Sequence, residues 1–315
     1  MSNRKSGSII ALVAAVALVS VAAKHSAAQG RVYKPVSGCP EDVGIDFHRC
    51  ALEKMKTFKP PLTPDGRPDF SGDWARTIGP STTVEERGPN LPEPRTAPVR
   101  RASAIVDPPD ARIPYRAWAV EQANKNFHIY LDPQNRCDLP GPQRFTYTAP
   151  GGYLILQPRG DREITMLAER VHMYRVIPTN GRPHIPANVK LYEGDPVGRW
   201  EGNTLVVDFT NLNGGTWFDH AGNFLSDAAH IVERWTLADR DTIHVETTVE
   251  DPKVLTRPMK MAIAMARIKD PSHELLEDPC WEGERDKQTR TKESDPYPGQ
   301  SPYPGWNGIG AAADR

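Results

Sequence analysis

The sequence predicts a mainly β protein: an antiparallel barrel of about eight strands, entered through a disulfide-tied N-terminal lead and interrupted by proline-rich loops. Three observations predict it. From Arg144 onward, short apolar runs are punctuated by turn residues every ten positions or so. The 31 prolines and 24 glycines disfavour long helices and supply turns. Finally, Ile243, Val245, Thr247 and Val249 alternate with His244, Glu246, Thr248 and Glu250, a strand with one packed and one wet face.

Along the chain, Arg4 and Lys5 precede an uncharged apolar run from Ile9 to Ala23, followed by the small residues Ser26, Ala27 and Ala28. This is the layout of a Sec-type signal peptide, residues 1–28, cleaved after Ala28. The apolar run is about fifteen residues, short of the roughly twenty that span a bilayer. The expectation is a periplasmic or secreted protein with no transmembrane segment in the mature chain. Four cysteines, Cys39, Cys50, Cys137 and Cys280, form an even set, which in an exported chain argues for disulfides over metal thiolates. Cys39 is expected to pair with Cys50, and Cys137 with Cys280.

Residues 29–69 form the lead, with a helix over 47–58 that places Phe47, Leu52, Met55 and Phe58 on one face and stops at Lys59-Pro60-Pro61. A strand starts within 69–74. The proline-rich insertion 79–114 is an extended connector, and 115–130, which contains neither proline nor glycine, is a helix. Strands are expected at 145–147, 153–157, 163–167, 172–178, 204–211, 230–237, 242–250 and 259–268, all in one barrel domain, 70–290. Within 198–209 the Glu201-Gly202-Asn203 turn spells a hairpin, with Leu205, Val207 and Phe209 facing the core and Val206 and Asp208 facing away. Residues 291–315 repeat a Pro-Tyr-Pro-Gly unit and are expected to be a mobile tail or a strap over the barrel.

Net charge is −1, from 39 basic and 40 acidic residues, so no field exists to hold a nucleic acid or an anionic membrane. Walker, Gly-x-Ser-x-Gly, His-Glu-x-x-His and Cys-x-x-Cys motifs do not occur, and no cofactor or metal is expected. The chemistry then falls to polar residues near strand ends. His184, after Gly181-Arg182-Pro183, is a displayed general-base candidate. Asp219 and His220 put a carboxylate beside an imidazole, with Trp217 and Phe218 to flank an apolar substrate. Glu233 shares the inner side of its strand with Ile231, Trp235 and Leu237, so it is either paired with Arg175 or Arg170 or acts as a catalytic acid. His230, three positions away, falls on the opposite face. Tyr174 is a hydrogen-bond donor candidate for the same cavity. The expected catalytic set is thus His220, Glu233, His184, Asp219 and Tyr174, and the ligand-binding set Trp217, Phe218, Trp235 and Arg175. His184, His220 and His230 lack ligand spacing for a three-histidine metal site. Together these predict a protein acting on a small apolar or aromatic molecule, by a cofactor-free lyase, isomerase or hydrolase step. The alternative is a non-catalytic small-molecule-binding or cell-envelope protein.

Gly72-Asp73-Trp74 resembles the Gly-x-Trp opening of lipocalin-like (calycin) barrels. The resemblance implies that Trp74 plugs the closed end of the barrel, that Arg267 or Lys269 packs over it, and that the other end is a ligand-sized mouth. A second resemblance covers most of the mature chain. The motifs at 68–74, 105–110, 112–115, 181–184, 198–208, 231–235 and 280–283, in that order, are similar to those of a large group of secreted bacterial proteins without an assigned activity. Trp281 stands where that group has histidine and Asn203 where it has aspartate, so the last motif is not read as a metal or acid–base site. This resemblance implies export and fold.

Overall fold

The computed structural model describes residues 35–41, 43–77, 83–85, 103–130, 132–147, 151–169 and 173–276. The expected signal peptide, the tail and Cys280 lie outside them.

The architecture is mainly antiparallel β, a nearly closed barrel-like sheet. Its strands are β1 (Gly72–Arg76), β2 (Ile105–Asp107), β3 (Gly152–Leu156), β4 (Glu163–Ala168), β5 (Tyr174–Pro178), β6 (Asp195–Glu201), β7 (Thr204–Thr210), β8 (His230–Asp239), β9 (Thr242–Glu250) and β10 (Met259–Arg267). Nine of them follow the order β5-β4-β3-β1-β10-β9-β8-β7-β6, and β2 pairs with β10 off that path. The end strands β5 and β6 meet at a seam, where a Cβ on Gly198 would lie 2.7 Å from Ile177 Cγ2. Glycine is what lets the two strands close up there. The β6–β7 hairpin turns at Gly202, φ +58°, as its sequence spells.

The inward positions of β8, β9 and β10 form the core: Ile231, Trp235, Leu237, Ile243, Val245, Val249, Met259, Met261, Ile263 and Met265 are all buried. Trp74 is fully buried at one end, its Nε1 donating to Phe70 O at 2.7 Å. The Arg267 guanidinium lies over its ring, 4.1 Å from the centroid, and donates to Ser71 O. Of the two candidates for that place, Arg267 fills it.

Among the described residues, the helices α1 (Gly44–Met55), α2 (Ala117–Ile129) and α3 (Pro142–Tyr147) accompany the sheet. α1 starts three residues earlier than the apolar spacing alone indicates, with Asp46 in its first turn, where the helix dipole favours a carboxylate. It covers the outer face of the sheet, Phe47 and Ala51 packing with Ala238 of β8 and Ala264 of β10. Small residues on that face of β10 let the helix approach. The Cys39–Cys50 disulfide ties the lead to α1. Cys137 is also disulfide-bonded.

Two strand expectations change. Residues 145–147 are not a strand but the end of α3, whose six residues are all buried. Gly141, at φ +82°, and Pro142 at the first helical position start a turn that the β-prone Phe-Thr-Tyr then continues, because it lies among the buried core side chains. β2, inside the proline-rich insertion, is a strand that the proline content hides, and β6 extends the first arm of the expected hairpin back through Pro196 to Asp195. Proline is tolerated in β6 because that strand sits at the seam.

Candidate functional site

Polar groups gather in three places: inside the barrel, at one end of it, and on its outer face. The interior group is built around Glu233 on β8. Its Oε1 accepts from Thr146 Oγ1 at 3.0 Å; its Oε2 accepts from Arg175 Nη1 at 3.1 Å and from Trp235 Nε1 at 2.9 Å. Arg175 also donates to Pro142 O and lies over the rings of Phe145 and Phe209, 4.1 and 4.8 Å from their centroids. Burial raises the Glu193 carboxyl above its usual range, while the Arg175 charge opposes that shift. Burial likewise pushes the Tyr153 phenol up to about 12 and the Arg76 guanidinium down to about 10. Of the two roles open to Glu233, the ion pair with Arg175 is formed. Its carboxylate is fully engaged by three donors, fastening β5 and β8 to α3.

The second group lies where α3 meets the loop 211–229. Asp132 caps the 3-10 turn Pro133–Arg136, its side chain accepting from Gln134 N. Arg144 on α3 grips the same carboxylate with two hydrogen bonds, 2.6 and 2.7 Å. His220 Nδ1 sits 3.2 Å from Asp132 Oδ2 and 2.6 Å from Arg144 Nη2. Burial opposes ionisation of Asp132, but Arg144 and His220 outweigh it and hold the carboxyl well below the usual range. The His220 side chain is 35 % exposed, while that of Arg144 is 1 % exposed. One imidazole therefore reaches solvent from anchored partners. α2 supports this loop: Asn126 Nδ2 donates to Gly222 O, and a side chain on Gly222 would strike α2.

The expected Asp219–His220 pair does not form. Asp219 is fully buried and caps its own loop, accepting from Val84 N, Ala221 N, Asn223 N and Asn223 Nδ2. Neighbours in a loop point apart, and here the partner of His220 is 88 positions distant. Trp217 and Phe218 are buried loop anchors and not an open aromatic clamp. Phe218 lines, with Gln143, Leu212, Gly214, Thr216, Leu225 and Ser226, a cavity of about 10 Å³, the size of one water site. Gln143 Nε2 has no hydrogen-bond partner among the described residues. Trp235 and Arg175, the other expected ligand contacts, are buried within the Glu233 cluster. Tyr174 is 69 % exposed on the outer face, because its neighbour Arg175 takes the inward position of β5.

The third group joins two expected histidines. His184 Nδ1 lies 2.8 Å from Asp195 Oδ2, which Arg182 also holds, and His184 Nε2 lies 3.3 Å from Asp208 Oδ1. His230 Nε2 reaches the same Asp208 oxygen at 3.0 Å. His230 is outside and Glu233 inside, as strand alternation requires. The hydrogen bond to Asp208 raises the His230 imidazole, and the same bond leads the causes that lower Asp208. For Asp195, burial opposes ionisation, and the bonds from Arg182, His184 and Ile185 N bring it below its usual value. His220 stands apart from this pair, so the three histidines do not converge. Among the described residues, no group of three or more His, Cys, Asp or Glu is placed to hold a metal ion.

Fold and sites together define a nearly closed antiparallel barrel with a filled interior, one anchored imidazole at a helix–loop junction and a histidine–carboxylate chain outside. Compared with known proteins, the chain matches no family model, no curated protein and no solved structure. No helix among the described residues is long and apolar enough to cross a membrane.

Asp132, Arg144, Asp195 and Asp208 are partners that sequence reasoning passed over. One local signal marks the first: Asp132-Pro133 is a helix-cap spelling.

Proposed function

We propose that this chain is an exported barrel protein acting on a small apolar or aromatic molecule at the junction of α3 and the loop 211–229. His220 is its proton-transfer group in a cofactor-free lyase, isomerase or hydrolase step. The observation that carries it is the anchored, partly exposed His220 imidazole, oriented by a buried carboxylate and a buried guanidinium. Export is supported by the Cys39–Cys50 disulfide.

A panel of small aromatic esters, enol ethers and α-hydroxy carbonyl compounds, followed by mass spectrometry, tests the proposal. Turnover of at least one member, reduced about 100-fold or more in His220→Ala with the fold retained, is the expected result. Full turnover in that variant would end the assignment.

A second reading, a non-catalytic small-molecule-binding protein of the cell envelope, is favoured by the engagement of Glu233 with three donors, which removes it as a catalytic acid. It expects native mass spectrometry to show a ligand of a few hundred daltons retained in stoichiometric amount, with no turnover of any panel member.

A further inference from the structure

The outer surface of the barrel is treated differently on its two sides. α1 covers β8 to β10, whereas among the described residues no helix covers the outward side chains of β3, β4 and β5. Leu154, Leu167 and Tyr174 lie side by side in one cross-strand row, and Leu156, Thr165 and Val176 in the next. Tyr174, Leu156 and Val176 are 69, 43 and 37 % exposed. A groove of about 540 Å³ runs along the second row, lined by Leu154, Leu156, Gln157 and Pro158 among others. A contiguous apolar face of this kind marks an interaction site.

We propose that residues 297–306 of this chain, Tyr-Pro-Gly-Gln-Ser-Pro-Tyr-Pro-Gly-Trp, dock on this face. The path of the chain points to that occupant. After β10 it passes Asp73 of β1, where Ile268 N donates to Asp73 O. It then crosses β3, where a Cβ on Gly152 would lie 2.9 Å from His273 Nε2. At Leu276 it is held to Glu169, just past β4, by a 3.2 Å hydrogen bond. Glu169, on the outer side, is 1 % exposed beneath this segment. The chain has thus already begun to cross the outer face, strand by strand, and the next outward residues are the half-buried Leu154 and Leu167 and the exposed Tyr174.

Reach and chemistry agree. The 21 residues from Leu276 to Tyr297 can span up to roughly 70 Å, against about 15 Å along β3. A segment with three prolines and three aromatic rings loses little entropy on docking and brings apolar rings to a groove lined by Leu154, Leu156 and Pro158.

Hydroxyl-radical footprinting tests this on three forms: the full chain, a form ending at Ser294, and the triple variant Tyr297→Ser/Tyr303→Ser/Trp306→Ser. Far-UV circular dichroism and the thermal midpoint confirm that each is folded. Tyr174 and Leu156 should be oxidised about fivefold faster in both altered forms than in the full chain, as an exposed face gains cover from a docked segment. Equal rates in all three forms would overturn the proposal. So would an acceleration confined to His220, which would place the tail at the α3–loop junction. Protection that survives in the triple variant but is lost on dilution would overturn it in favour of a second copy of the chain.

Discussion

Two histidines on the outer face of the same sheet, His244 and His230, respond to protons in opposite directions. His48 of α1 and His244 of β9 face each other at 2.9 Å beneath the helix. Burial, then the neighbouring His48, push the His244 imidazole down to about 3; burial also lowers His48, with Glu246 opposing. His184 and His230 share Asp208 instead, and His230 is raised. A shared carboxylate, and not the residue type or the sheet that carries it, decides which way a surface histidine moves. The consequences for stability have opposite signs. His244 contributes fully above its unfolded value near 6.5 and loses that contribution as pH falls toward 3. His230 contributes fully below about 6.5 and loses it as pH rises through its higher folded value. Asp208, being lowered, contributes above about 4 and loses that as pH falls through its folded value.

The largest effect should come from the limiting case of the comparison, a carboxylate and a cation both inside. Glu233→Ala strands the buried Arg175 and should cost about 3–5 kcal/mol, measured by urea unfolding at pH 7. A loss below 1 kcal/mol would mean that the interior pair does not fasten the barrel. Next, the wild-type chain should lose roughly 3 kcal/mol between pH 6.5 and pH 4 through His244, and His244→Leu should remove that slope. Parallel curves for the two proteins would break the comparison outright. Asp208→Asn should cost at most about 1 kcal/mol near pH 5.5, discounted because the His230 side chain is 40 % exposed, and still less at pH 8.5. A gap that widens with pH would reverse the sign derived for His230. The smallest change is Glu246→Gln, which removes the charge opposing the shift of His48. The His48 ring should titrate lower by proton NMR, with a stability change of a few tenths of a kcal/mol. An unmoved ring would show that the carboxylate, 3.8 Å away, is screened.

What the sequence disclosed follows the periods that strands impose. Alternation placed Glu233 inside with Trp235 and His230 outside, and a carboxylate buried there called for Arg175 or Arg170, of which Arg175 is the partner formed. The same alternation, applied one step further, excludes Tyr174 from the interior, since adjacent residues of a strand cannot both point inward. The resemblance carried by Gly72-Asp73-Trp74 implied a basic residue over Trp74, Arg267 or Lys269, and Arg267 takes that place. The α3 helix was not, because Phe145-Thr146-Tyr147 carries β propensity and only Pro142 announces the turn. The partners of His220 were out of reach for a different reason. Asp132 and Arg144 come from separate elements, 88 and 76 positions away, and only the folded chain brings them to one imidazole.

The place of β1 in the sheet sets a timetable. The strands from β6 to β10 pair in succession, each with the one just made, whereas β1 lies between β3 and β10. Arg76 is made about 190 positions before its partner Met265, and at roughly 5–20 residues per second that is ten seconds or more of waiting. Until β10 is made, Trp74 has no arginine above it and one edge of β1 has no neighbour. A newborn chain carries that open edge for more than half of its synthesis.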